Sequence, residues 1–526
     1  MNKPTQRAIA AMLCAGLAVG LASCSSGGGG ASSAAPASSA APASSAPASS
    51  EAAPAEDGKS YHFTIYRSGA WPAYPADGGV GYQIMKDAMK AYGLPDIDWE
   101  VVAIGGTEYY DKLNVLAASD SMPDCMNVNM VTLTSFADQG LIIPLEDKLD
   151  QLPAIKDRMR QSELDAVTYD GHLYAFPVGY LEGAINGPNT DGLIIRQDWL
   201  DKVGMAVPTT IDELHDVMTA FKEQDPDGNG QNDTFGYLGT KTTVFDNIFG
   251  AYGIQPTFWM ETPDGLRMGS TLPAAKEALA TLQQWYQEGL IDPDIFTNDS
   301  SLKDQKFANS KGGVYEGSGF TGSPVQPGTA ALLAVTPDAK LAPIPTLKGP
   351  RGESGRQESS PGYGNIRAIS SSCEDVDVLM QLLNWSVDDG ENGGFYLCSV
   401  GVEGEDFTLS EDQSKVIQTS TYDEIYAKGL GNPVRFLQIV DRRWLVDEAV
   451  HCFETFADGY RENKYWGTTP SMLDYPDTCS QLFTQYLAKI VMGQSVDTWD
   501  DYVKEFYAMG GDKIEQEVNE AYKALQ

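Results

Sequence analysis

The tightest constraint on this chain lies between Tyr61 and Met130, where apolar residues change period from two to helical spacing and back. YHFTIYR alternates as a strand. VGYQIMKDAMKAYG is an amphipathic helix stopped by Gly93. IDWEVVAIGG is a second strand, and TEYYDKLNVLAAS is a helix with Tyr109, Leu113 and Leu116 on one face. MPDCMNVNM is a third strand. Strands that alternate with helices are joined by crossovers, which build a largely parallel sheet covered by helices. The fold class expected is α/β.

The same reading continues downstream. TYDGHLYAFPVGY places Asp170-Gly171 between two extended runs, a hairpin signal. GLIIRQDWLDKVGM is a strand entering a short helix, and VPTTIDELHDVMTAFKEQ is a helix with clear start signals. Thr210 and Glu213 there form a capping box after Pro208, and Ile211, Leu214, Val217, Met218 and Phe221 make one apolar face. TLPAAKEALATLQQWYQEGLI and DVDVLMQLLNWSVDD are further amphipathic helices, and KGGVYEGSGF is a strand leading into a Gly-rich loop. The last hundred residues are mainly helical.

The first residues form a processing signal. Lys3 and Arg7 precede the apolar run AIAAMLCAGLAVGL, which is too short for a comfortable membrane span and suits a secretory signal peptide. The run ends in LASC. This resembles the lipobox of bacterial lipoproteins, where cleavage before the cysteine, here Cys24, precedes its lipidation. Ser23 stands where Gly or Ala is commoner; an ordinary signal peptide with a chance cysteine is the alternative. Residues 25–59 are rich in Ala, Ser, Pro and Gly with no large apolar side chain, so they cannot bury a core and are expected to be a disordered tether. Residues 1–24 are thus assigned to the signal, 25–59 to the tether and 60–526 to the folded body.

A formal net charge of −37 and a pI near 4.3 repel nucleic acid and anionic lipid heads, so no nucleic-acid partner is expected. Beyond the signal and Cys24, five cysteines remain: Cys125, Cys373, Cys398, Cys452 and Cys479. No CxxC or zinc-like spacing occurs among them. They are expected to be small buried hydrophobes, with one disulfide left open.

An ordered set of segments carries a resemblance. YYDKLNVLAASDSMPDCMNVN, DGHLYAFP, IIRQDWLDKVGMAVPTTIDEL, GGVYEG, PIPTLKGPRGE, GVEGEDFTL and WDDYVKEFYAMGGDKIEQEVNEAY follow one another. Together they resemble family 1 extracellular solute-binding proteins of carbohydrate ABC importers, within the large lipoprotein subgroup that includes calcium-containing oligosaccharide binders. The resemblance implies a two-lobe periplasmic-binding-protein-like fold of type II topology, with a hinge and an interlobe cleft. It implies capture of an oligosaccharide or sugar and delivery to a membrane permease, without catalysis. It implies a monomer held by its lipid at the outer face of the cytoplasmic membrane. The lobes expected from the family's crossovers are 60–178 with 312–350, and 185–311 with 360–526.

DPDGNGQNDTFGY is the strongest local motif. Asp225, Asp227 and Asn229 take positions 1, 3 and 5 of an EF-hand-like loop, Gly230 takes 6, Gln231 takes 7 and Asp233 takes 9. Alternating hard oxygen donors around a tight turn are what Ca2+ requires. Position 12 is Gly236 rather than Glu, and the following TFGYLG reads as a strand, not an exit helix. Related binding proteins place an acid at position 10, where this chain has Thr234. The motif reads as a structural calcium loop, with an Asx-rich turn as the alternative.

GSGFTG matches a dinucleotide fingerprint only in spacing. Pro324 and Pro327 would spoil the helix such a site needs. The loop is read instead as cleft lining, with Glu316 bonding ligand hydroxyls. His62, His172, His215 and His451 form no triad or metal spacing, and no HExxH or GxSxG occurs. A carboxylate pair for glycoside hydrolysis stays open among so many acids. Sugar faces need flat aromatic rings and planar polar partners. Trp71, Tyr180, Trp259, Tyr363 and Trp466 sit in loop contexts and are the aromatic candidates. Asn127, Asn129, Asn365 and Arg443 are the polar ones. Trp99, Trp285, Trp385 and Trp499 fall on strand or helix patterns and are assigned to the core. The alternatives to a sugar-binding protein are a secreted, calcium-stabilised carbohydrate-active enzyme and a binder of peptides or another solute.

Overall fold

The computed structural model describes residues 59–525 apart from 70–73, 106–107, 155, 157–158, 160, 178–190, 244, 325, 358–365, 432–441 and 458. The alternation near the start builds the first of two four-stranded sheets. Its order is Ile366–Ile369, Cys125–Val128, Ser60–Ser68, Asp96–Ile104. Ser60–Ser68 runs parallel to both neighbours, with Ile65 opposite Val101 on one side and Cys125 on the other. Helices Gly79–Tyr92 and Glu108–Ala118 supply the crossovers. Gly93 ends the first of them at φ 99°, a left-handed cap that suits glycine. Met85, Met89, Tyr109 and Leu113 project from the helices onto Phe63, Ile65 and Met126, and helix Val376–Trp385 closes the same core with Leu379 and Trp385.

The second sheet has the order Leu341–Pro343, Asp191–Arg196, Gly312–Ser318, Phe235–Leu238. Gly312–Ser318 runs antiparallel to Asp191–Arg196 and parallel to Phe235–Leu238. Helix Ile211–Glu223 packs on this sheet with the whole of its expected apolar face buried, and both halves of its capping box are formed. Gly313 shows how close that packing is. A Cβ there would lie 2.1 Å from the Phe221 ring and 2.9 Å from Trp199, closer than any side chain tolerates. The helices Pro476–Val491, Thr498–Phe506 and Asp512–Leu525 finish this second core through Phe483, Tyr502, Phe506 and Val518.

Membership of the two cores differs from the expected division. Gly312–Ser318 and Leu341–Pro343 lie in the second sheet, not with the first lobe, and Ile366–Ile369 lies in the first sheet, not with the second lobe. The first core takes residues from Phe63 to Phe176 and from Ile366 to Leu430. The second takes Leu193 to Leu347 and resumes at Tyr465. The cause is pairing. Gly312–Ser318 finds its partners in Asp191–Arg196 and Phe235–Leu238, and the short IRAI strand inserts antiparallel beside Cys125–Val128.

Local signals are otherwise met. Thr168–Tyr169 pairs with His172–Leu173 across Asp170 and Gly171, both at positive φ. Phe235–Leu238 is a strand, as TFGYLG suggests. Pro327 behaves differently from the expectation, since it opens helix Pro327–Val335 at a position where the missing N–H costs nothing. Cys125, Cys373, Cys398, Cys452 and Cys479 are all free thiols. Among the described residues no helix is long and apolar enough to cross a membrane.

Candidate functional site

The C-terminal half of the Gly312–Ser318 strand and the start of the antiparallel Asp191–Arg196 strand meet at one edge of the second sheet, where Ser318 faces Asp191. Glu316 lies there, opposite Leu193. Its Oε2 accepts a hydrogen bond from Thr243 Oγ1 at 2.6 Å. Two acids that no sequence motif marks come with it. Asp191 begins its strand, and Asp246 heads helix Asp246–Ala251 directly after Phe245 at φ 53°.

Together these acids form a wall at the sheet edge, and burial and mutual charge shift their acidity. Asp191 is open to solvent at its surface, yet protein crowds it on most sides. That desolvation, followed by the Asp246 charge, pushes its carboxyl up to about 6. Desolvation and then Asp246 likewise push Glu316 up to about 7, with the Thr243 hydroxyl and Lys303 acting the other way. Lys303 donates to the Glu316 carbonyl at 2.7 Å and lies 4.0 Å from the centre of the Tyr315 ring. Burial lowers its pKa. Beneath them, the Tyr237 hydroxyl is fully buried beside Glu316, and desolvation with the charges of Glu316 and Asp246 holds it well above the usual range. A cavity of 220 Å3 adjoins the wall, lined by Lys303, Tyr315, Gly317, Ser318 and Thr321. Carboxyl oxygens and hydroxyls at the edge of a sheet suit recognition of hydroxyl groups.

The other candidates fall in several places. Asn127 is buried in its strand; its Oδ1 accepts from Ser68 N at 3.1 Å, and its carbonyl accepts from the Tyr109 hydroxyl at 2.9 Å. Asn129 caps helix Met130–Asp138 by accepting from Thr132 N. Trp259 lies in strand Trp259–Thr262, 4% exposed and inside the second core, because the strand pairs as a hairpin with Gly265–Met268. Trp466 is partly exposed and stands edge-on to Phe258 with ring centres 5.4 Å apart. The same segment borders a 530 Å3 cavity lined by Met260, Glu261, Arg461, Glu462 and Lys464. Arg443 donates to the Tyr396 hydroxyl at 2.9 Å and to Asp389 at 2.8 Å, so its guanidinium is engaged by the protein. Trp71, Tyr180, Tyr363, Asn365 and Cys24 lie outside the described residues. Trp99, Trp285, Trp385 and Trp499 are buried, as assigned.

The acidic loop is organised by its own side chains. Asp225 accepts from the amides of Asn229 and Gly230, and the Gly230 bond chiefly holds its carboxyl low. Asn229 Nδ2 lies 2.8 Å from Asp227 Oδ2 and 3.1 Å from Asp233 Oδ1. The carboxylates of Asp225, Asp227 and Asp233 and the amide oxygen of Asn229 are hard oxygen donors of the kind Ca2+ takes. Among the described residues, however, no group of three or more His, Cys, Asp or Glu side chains is gathered as a metal cage. Gln231 enters through its backbone amide, which donates to Asn229 Oδ1 at 2.7 Å. Thr234 turns away from the loop and donates to the Phe221 carbonyl at 2.7 Å.

The sequence of residues 76–392 matches the family described as bacterial extracellular solute-binding protein. The polygalacturonan/rhamnogalacturonan-binding protein YtcQ of Bacillus subtilis is 24% identical over 81% of this chain and 85% of its own length. Among solved structures, the ABC-transporter substrate-binding protein FusA of S. pneumoniae in complex with kestose superposes with a TM-score of 0.67 and 21% identity, covering 88% of this chain and 99% of FusA. The alginate-binding protein AlgQ2, solved without calcium ion, gives 0.65 and 19% over 88% and 98%.

Proposed function

The chain belongs to the bacterial extracellular solute-binding proteins, and on that premise we propose that it captures a sugar or oligosaccharide between its two lobes for an ABC importer. The observation that carries this reading is the carboxyl-lined wall of Asp191, Asp246 and Glu316 at the edge of one of two separately cored sheets. A ligand that touches both lobes only when they approach would stabilise a closed form and so shift the equilibrium toward it. The closed form is then the state that a permease would recognise.

The ligands of relatives support a glycan: YtcQ is described as binding polygalacturonan and rhamnogalacturonan, and FusA was solved with kestose. The lipobox and tether support lipid attachment at Cys24, which would hold the body at the outer face of the membrane as a monomer. The oxygen donors of Asp225, Asp227, Asn229 and Asp233 support one structural Ca2+ in the acidic loop.

Thermal-shift and calorimetric titration with mono- and oligosaccharides test the proposal, since a ligand specific for the folded state raises the melting temperature. Saturable binding without turnover is expected, with compaction in solution scattering. Steady hydrolysis of the best glycan would overturn it. For the anchor, a Cys24→Ser chain is expected to leave the membrane fraction; retention there would refute lipidation at this residue.

A further inference from the structure

Acidic residues outnumber lysine and arginine by 73 to 36 in this chain, so a cation left without a carboxylate stands apart. Arg461 is such a cation. It is half-buried, and among the described residues it makes no hydrogen bond or ion pair; its Nε is sealed from solvent with no acceptor. Glu353 acts on it from a distance, but that carboxylate is taken by Arg351 Nε at 2.7 Å. The position is built by the fold. Arg461 ends strand Tyr460–Arg461, which runs parallel to Arg356–Gln357. Its stem crosses the backbone at Gly355, where a Cβ would lie 2.4 Å from the Arg461 Nε, so glycine keeps that path open. A desolvated guanidinium with no acceptor is costly until a partner supplies one.

Arg461 lines the 530 Å3 cavity together with Met260, Glu261, Glu462 and Lys464, a volume within the about 300–1,000 Å3 of small-ligand sites. Lys464 is already paired with Glu462 at 2.9 Å, and Glu261 is exposed. Gln357, paired with Arg461 through the backbone, is the last described residue before the chain re-enters the first sheet at Ile366, so the cavity borders a connection between the two cores. We propose that this cavity holds a carboxylate-bearing sugar, a uronic acid unit, with Arg461 on its carboxylate and Glu261 and Glu462 accepting from its hydroxyls. The inference rests on the glycan-binding reading and deepens it by naming an acidic unit of the ligand. The planar guanidinium matches a carboxylate through two parallel N–H···O bonds, a geometry that lysine lacks. Two acids beside two bases suit one anion flanked by hydroxyl donors rather than a dense polyanion. A neutral sugar would offer Arg461 only uncharged acceptors, whose bonds are about half as strong.

The test is calorimetric titration of the full chain at low salt and pH 7.5 with galacturonate and mannuronate trisaccharides, and with the same trisaccharides after reduction of their carboxyl groups to alcohols. These pairs differ in the carboxylate alone. One acidic trisaccharide is expected to bind at least about 50-fold more tightly than its reduced counterpart. Arg461→Met is expected to weaken that acid by at least about 50-fold, and Arg461→Lys by about tenfold, since it keeps the charge and loses the fork. Lys504→Met, which removes an exposed cation from helix Thr498–Phe506, is expected to change neither affinity. Arg461→Met should melt no lower than the wild type, because the guanidinium it removes bonds to nothing in the folded chain; that establishes the variant as folded. Reduced trisaccharides binding as tightly as the acids, or an acid whose affinity survives Arg461→Met, would overturn the inference and leave glycan capture standing. Displacement of the acid by an equal concentration of acetate would overturn the assignment to a sugar acid. Binding of neither the acids, their reduced forms nor any other glycan would overturn both readings.

Discussion

Lys311, the residue before the Gly312–Ser318 strand, places its ammonium on the Asp233 carboxylate and so ties the acidic loop to the strand that carries Glu316. The hydrogen bond from Lys311, followed by that from Asn229, is what chiefly holds the Asp233 carboxyl below the usual carboxylate range. A Ca2+ in the loop would draw on the same carboxylate. Calcium is expected to raise the melting temperature of the wild type and a chelator to lower it. In Lys311→Met the calcium-induced rise should be larger, while the metal-free variant loses about 0.5–1 kcal/mol from the broken, half-exposed ion pair. Scanning fluorimetry with and without calcium reads both effects, and an unchanged midpoint in calcium would remove the metal from the loop.

Glu316 makes stability depend on pH. Its folded pKa of about 7 exceeds the ordinary 4.5. Between those values the folded state holds the proton that the unfolded state has released, so stability falls as pH rises through the window. Glu316→Gln removes this slope. Relative to the wild type, the variant should gain on the order of 1–2 kcal/mol between pH 4.5 and 7.5, after allowance for partial exposure. Urea denaturation across that range measures the difference.

Thr210 accepts from Glu213 N at 3.1 Å while Glu213 Oε2 accepts from Thr210 N at 3.2 Å. Thr210→Ala should cost about 1 kcal/mol by leaving a helix-end donor without its partner. The loss should appear as a lower urea midpoint with an unchanged slope.

Burial pushes Cys125 up to about 11, and Cys373, Cys452 and Cys479 up to about 12. Thiolate is the reactive form, so iodoacetamide at pH 8 should leave these four unmodified in the folded protein and label them after unfolding. Mass spectrometry distinguishes the two states. Rapid labelling of the native protein would contradict this packing.

Legibility in the sequence tracks how local the determining contacts are. The capping box of Thr210 and Glu213, the Asp170-Gly171 turn and the apolar face from Ile211 to Phe221 are set within a few residues, and each appears where expected. Sheet membership is not local. IRAI reads as a strand in any context, and only its pairing with Cys125–Val128 assigns it to the first core. Trp259 looked like a loop aromatic because its hairpin is short and flanked by turns, yet the hairpin turns the ring inward. Glu316 can be singled out in the sequence because it sits near the end of a clear strand, before glycines. Asp191 and Asp246 were not: each is one of 73 acidic residues, and only folding brings them beside it.

The antiparallel strand Ile366–Ile369 also governs when the first core can form. Its partner is made early in synthesis, but the strand itself follows the whole second sheet in the chain. Until it arrives, Cys125–Val128 presents an open, apolar edge. Such late, long-range closure is slow. A nascent chain would therefore remain incompletely folded, and exposed to aggregation or to holding factors, until more than two-thirds of it has been synthesised.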